Sequence, residues 1–114
     1  MISPIVSSLL SHSFTSTSKI DFLSEGAIFF EMAAQYELSG NYKKALIWYF
    51  HSALRGHTES FNNIGVLRVL GYGHKTVKGN ALSWLMLGAY LGDQLARRNL
   101  QIVRSQRRLL EPVA

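Results

Sequence analysis

The sequence predicts an all-α fold built as a helical repeat array, and three observations carry that prediction. The first is internal repetition. The stretch from Lys44 to Gly56 is said again from Asn80 to Gly92, with Ala45 and Ala81, Trp48 and Trp84, Ala53 and Ala89, and Gly56 and Gly92 each 36 residues apart. A period of this length is the signature of repeated helical units that bury their apolar faces on one another. The second is apolar residues recurring at three- and four-residue steps, the spacing that puts them on one face of a helix. The third is glycine at every break: Ser39 to Asn41, Arg55 to Thr58 and Gly92 to Asp93 are long enough only for a turn, and Gly71-Tyr72-Gly73 leads into a longer basic loop, His74 to Gly79.

Residues 1–18 are rich in Ser and Thr, hold Pro4 and show no sustained period. They read as an N-terminal arm, mostly irregular, ahead of a single domain over residues 19–114. A first helix should begin near Ser18 or Asp21, where short polar side chains can cap backbone N–H groups and the acids Asp21 and Glu25 suit the positive end of the helix dipole. Its apolar stripe is Phe22, Ile28, Phe29, Met32, Ala33 and Tyr36, and it ends at Ser39-Gly40-Asn41.

The Trp48 helix is expected over 42–54, burying Ala45, Trp48, Tyr49, Ser52 and Ala53, with small residues where helices approach closely and rings where the gap widens. The four-residue break that follows requires the next helix, 59–70, to fold back beside it. That helix carries Phe61, Ile64, Gly65, Leu67 and Val69. The Trp84 helix follows over about 80–90, and a last one runs from Gln94 to about Leu110, with Pro112 beyond it. Asn63 and Asn99 also recur 36 residues apart, and each is expected to bond a neighbouring helix backbone.

Composition excludes several function classes. With 47% hydrophobic residues and helical patterning the chain is not disordered, and the absence of cysteine rules out disulfides and thiolate metal sites. No apolar run approaches the roughly 20 residues of a membrane span, and the N-terminus lacks the basic residues that precede a signal-peptide core, so a cytoplasmic protein is expected. The net charge of +5 is uneven. Through Glu37 one lysine faces four acids, and from Leu38 onward eleven Lys and Arg face three. Such asymmetry can steer an acidic partner, and it is also what a solvated helix face looks like.

No catalytic constellation emerges. Gly71-Tyr72-Gly73 lacks the third glycine and the preceding strand of a phosphate loop. His12, His51, His57 and His74 are not at metal-ligand spacing, and no Gly-x-Ser-x-Gly nucleophile elbow occurs. Trp48 and Trp84 repeat with the fold and therefore read as packing residues. The arginines 97, 98, 104, 107 and 108 form a basic end, with Arg97, Arg104 and Arg108 on one helix face. Without interleaved aromatics this end is a poor nucleic-acid surface.

Lys44-Ala45-x-x-Trp48-Tyr49-x-x-Ser52-Ala53-x-x-Gly56, followed by Ser60-x-x-Asn63-Ile64-Gly65, resembles the Sel1-like repeat, a relative of the tetratricopeptide repeat; the resemblance spans about residues 27–103. It departs from the family in the turn, where His74, Val77 and Asn80 replace the usual residues. The resemblance implies a short right-handed α-solenoid of antiparallel helix pairs, about five helices and two and a half repeats, the last helix serving as a cap. It implies a non-enzymatic protein-interaction module without cofactor, binding a partner polypeptide in a concave groove, or assembling with itself through open repeat ends. The groove positions carried over are Phe30, Ala34 and Glu37 on the first helix, Asn62, Val66 and Val69 on the third, and Arg98 and Ile102 on the last. Nucleic-acid binding by the arginine-bearing end is the weaker alternative.

Overall fold

The computed structural model describes residues 19–73 and 79–106, which form five α-helices with no strand among them: α1 (Lys19–Leu38), α2 (Tyr42–Leu54), α3 (Glu59–Leu70), α4 (Gly79–Tyr90) and α5 (Gln94–Ser105). The expected arm, the turn around His74, and Arg107 and Arg108 lie outside the described residues.

Local chemistry sets the helix boundaries. Asn41 caps α2 by accepting the Lys44 N–H at 3.2 Å, and Asp93 caps α5 by accepting the Ala96 N–H at 2.9 Å, each satisfying a donor that the first helical turn leaves free. At the other end of α3, Gly71 takes φ +76°, a left-handed conformation open to glycine at little cost, and its N–H bonds the carbonyls of Leu67 and Arg68. The backbone then turns onto α2. A β-carbon on Gly73 would lie 2.9 Å from the Tyr42 carbonyl group, so only glycine fits that approach, and the Tyr72 ring stacks on Tyr42 with centroids 4.6 Å apart.

Helix α1 packs on α2, α2 on α3, α3 on α4 and α5, and α4 on α5. Two groups of buried side chains hold them. Ala33, Ala45, Tyr49, Ala53, Ile64 and Leu67 join α1 to α2 and α3; Val69, Ala81, Leu85, Leu100 and Val103 join α3 to α4 and α5. Small residues sit where the axes come closest. A β-carbon on Gly65 would meet the Leu85 side chain at 2.8 Å, and one on Gly88 would meet the Ala96 β-carbon at 2.8 Å. Burying apolar surface contributes about 25 cal/mol per Å², and these glycines let the helices approach closely enough to gain it.

The two tryptophans occupy equivalent places. Trp48 packs on Phe29 at 5.2 Å between ring centroids and Trp84 on Phe61 at 5.9 Å, both tilted. Both indoles are half-buried among other rings, as expected of packing residues.

Three local expectations differ from the structure. Helix α5 ends at Ser105, not near Leu110. Gln106 leaves the helical region at φ −118°, ψ 75°, while the Ser105 hydroxyl donates to the Ile102 carbonyl at 2.8 Å, a side-chain bond of the kind that competes with helix continuation. The apolar stripe of α1 is only partly covered: Ala33 is fully buried, whereas Ile28, Phe29, Met32 and Tyr36 are half-buried and the Phe22 side chain is outside the description. Asn99 bonds a side chain instead of a backbone group, its Nδ2 donating to Asn62 Oδ1 at 2.8 Å, and Asn62 in turn donates to Asn63 Oδ1 at 3.2 Å.

Candidate functional site

Two adjoining depressions lie on the face built by α1, α3 and α5. The first, about 480 Å³, is lined by Ala34, Glu37 and Leu38 of α1, Tyr42 of α2, Leu67 and Leu70 of α3, and Tyr72. The second, about 140 Å³, is lined by Val66, Val69 and Leu70 of α3, Leu85 of α4, and Asn99, Ile102 and Val103 of α5. Leu70 lines both and is 53% exposed, so it forms a shared apolar ridge between them.

Helical spacing explains the grouping. Ala34, Glu37 and Leu38 are three and four residues apart, as are Val66, Val69 and Leu70, and Asn99, Ile102 and Val103, so each trio shares one side of its helix. The lining is mostly apolar, with Glu37 and the phenols of Tyr42 and Tyr72 as polar groups in the first depression and Asn99 in the second. That balance suits recognition in which apolar contact supplies affinity and a few polar groups fix orientation.

Glu37 is held in place. Its carboxylate accepts the Tyr49 hydroxyl at 2.6 Å, a short charge-assisted bond reaching from the core to the floor. Burial first, and then the Glu37 carboxylate, push the Tyr49 phenol well above its ordinary range, with hydrogen bonding to Asn63 acting the other way. The aromatic ring is almost fully buried, so Tyr49 anchors the carboxylate without itself facing a ligand.

The structure sorts the eight groove positions carried over from the resemblance. Ala34 and Glu37 line the first depression and Val66, Val69 and Ile102 the second. Ile102 is 45% exposed, but Val69 is only 8% exposed and belongs to the core, so it contributes an edge instead of an open surface. Asn62 is a correction: at 3% exposure it is buried and engaged by Asn63 and Asn99. Phe30 is likewise packed inward, its ring 5.4 Å from Tyr49 and 4.6 Å from His57. Arg98 is exposed on α5 and lines neither depression.

Sequence reasoning missed Leu38 and Leu70. Each is the last residue of its helix and each stands exposed before a glycine turn. They are 32 residues apart, the same offset as Ala33 and Gly65. The signal was therefore present in the repeat, as an apolar residue recurring where a helix end calls for a polar one.

Among the described residues no group of three His, Asp or Glu side chains gathers in a way that could hold a metal ion, and no helix is long and apolar enough to cross a membrane. Against protein-family models, curated proteins and solved structures alike, the chain finds no match.

Proposed function

We propose that the chain is a short right-handed α-solenoid of Sel1-like, antiparallel helix pairs that acts, without catalysis, as a protein-interaction module of the cell interior, in the manner of an adaptor, a chaperone or an inhibitor. It takes a segment of a partner polypeptide along the face of α1, α3 and α5. The observation that carries this reading is the pair of depressions joined at Leu70, with apolar residues at helical spacing and a few polar groups in each. An amphipathic helix laid across it would set apolar anchors on either side of Leu70, the helix-in-groove mode of recognition.

The test is to select helical peptides against the full chain and to compare their affinity for wild type and for the double variant Leu70→Glu/Ile102→Glu. Both side chains are about half exposed, so the helical circular dichroism should be unchanged. Peptides that use this face lose about tenfold or more in affinity, as expected when a central apolar anchor is replaced by a charge. Equal affinity for a folded variant means that the face is the wrong one.

A second reading, self-assembly, is favoured by the far end of the fold. Met86, Leu87 and Tyr90 of α4, Leu91 of the following turn and Leu95 of α5 all stand exposed there. An apolar end of this kind is where a stack accepts its next unit. Sedimentation of wild type and Tyr90→Asp/Leu95→Asp separates the cases: a mass above one chain that falls to one chain in the variant supports it, and a single-chain mass for both removes it.

A further inference from the structure

On the other side of the molecule, between α2, α3 and α4, lies a cavity of about 370 Å³ with a different character. Its walls are Leu46, Ile47, Phe50, Ile64 and Trp84, and its charged lining residues, Lys43 and Arg68, are both cationic. Phe50 and Trp84 stand edge to face with ring centroids 6.0 Å apart, and Ile47 and Phe50 are about half exposed, so the apolar walls are reachable from solvent. The volume is at the lower end of the roughly 300–1,000 Å³ typical of small-ligand sites, and the apolar lining with few polar groups has their composition.

Arg68 is the unusual member. It is half-buried, its Nε is shielded from solvent, and among the described residues that Nε has no hydrogen-bond partner and no carboxylate lines the cavity beside it. A guanidinium N–H shielded from water and left unpaired is costly. An anion that brings its own apolar body offsets that cost while filling the cavity beside the ring pair, and the planar fork of arginine is shaped to take a carboxylate in two parallel hydrogen bonds.

We propose that this cavity binds a small aromatic or branched aliphatic carboxylate, its apolar body against Phe50 and Trp84 and its carboxylate on the Arg68 guanidinium, with Lys43 at the rim. The site stands apart from the α1, α3 and α5 face, so it functions whether or not that face binds a polypeptide.

The experiment is a titration of the full chain, followed by nitrogen–proton correlation spectra, with 2-naphthylacetate and in parallel with its neutral isostere 2-naphthylacetamide. The expected result is movement of the Trp84 indole N–H, the Arg68 Nε–H and the Ile47 and Phe50 amides. The acid should bind about tenfold more tightly than the amide, since a charge-assisted pair is roughly twice as strong as a neutral hydrogen bond. Arg68→Gln should lower the affinity of the acid to that of the amide and leave the amide unchanged. Where that variant loses its fold, Lys43→Gln and the acid-to-amide ratio on wild type decide. Equal binding of acid and amide, movement centred on Leu70 and Ile102 instead, or no movement at all overturns the proposal.

Discussion

Helices α1 and α2, the first pair, and helices α3 and α4, the second, share a ring contact at corresponding positions but are joined by opposite chemistry. In the first, Tyr49 reaches Glu37, Arg55 pairs with Glu25 and lies over the Phe29 ring, and Ser52 donates to the Gly26 carbonyl at 2.5 Å while accepting from Ser60 at 2.8 Å. In the second, the counterparts 36 residues on are Leu85, Leu91 and Gly88. Leu85 replaces Tyr49 and is fully buried, in one core group with Val69, which stands where Glu37 stood. Gly88 replaces Ser52 and meets Ala96 where Ser52 met Ser60. The ring pair is common to both, as Phe29 with Trp48 and Phe61 with Trp84. What the contrast teaches is that ring packing and close approach are common to both junctions, while buried hydrogen bonds fill only the first. The second pair must then rely on fit, because buried area has no directional bond to hold it in register.

The comparison breaks hardest at the second pair. Leu85→Ala should cost about 3 kcal/mol, the transfer energy of a fully buried leucine plus the cavity left beneath Gly65; urea unfolding followed by circular dichroism reads it directly. Next in size is importing the serine of the first pair into the second. In Gly88→Ser the new β-carbon would sit 2.8 Å from that of Ala96 and 3.2 Å from that of Phe61, overpacking worth about 2 kcal/mol after the gain in helix propensity. Ala96→Gly should restore much of the loss, since it removes the nearest atom. A stable Gly88→Ser single variant would mean that the two junctions are not held at fixed separation.

Within the first pair the effects are smaller and depend on partners. Ser52→Ala removes a second bond from the Gly26 carbonyl and strands the Ser60 hydroxyl in the interior, at about 1–2 kcal/mol. Adding Ser60→Ala should cost less than its own single-variant effect, because the double variant leaves one stranded group fewer. Thermal unfolding of the four proteins closes that cycle, and strict additivity would show the serines acting independently.

The helices were legible because three signals agreed on them: apolar period, glycine breaks and the 36-residue echo. The bounds of α2 and α3 follow from these alone. The end of α5 was not legible, since Val103, Leu109 and Leu110 continue the apolar period in the sequence, and the departure of Gln106 rests on local bonds at Ser105. The site was half legible. That Ala34, Val66 and Ile102 line the depressions follows from helical spacing, which fixes a position on a helix face. The burial of Asn62 does not, because it depends on Asn99, 37 residues away, supplying a partner. The Arg68 cavity was not foreseen at all. It is a property of the space between three helices, and no spacing within one helix encodes it.

The smallest effect at neutral pH is also the one with a distinctive signature. Tyr49→Phe removes the bond to Glu37 and keeps the ring, costing about 1 kcal/mol. The Tyr49 phenol is raised in the folded chain by burial and then by Glu37, so the fold holds this proton more tightly than the unfolded chain does. In the unfolded chain it leaves near pH 10. Its stabilising contribution is therefore full below about pH 10 and declines as pH rises from there through the folded value. Other groups that titrate in this range are common to both proteins and cancel in the difference. Urea midpoints at pH 8 and pH 11 should show wild type ahead at pH 8 and its lead shrinking or reversing at pH 11. Leu85→Ala, whose loss involves no titrating group, should trail wild type by the same margin at both. A lead of wild type over Tyr49→Phe that stays constant with pH would place Tyr49 with Leu85 as a packing residue, and the chemical contrast between the two pairs would fail at its central position.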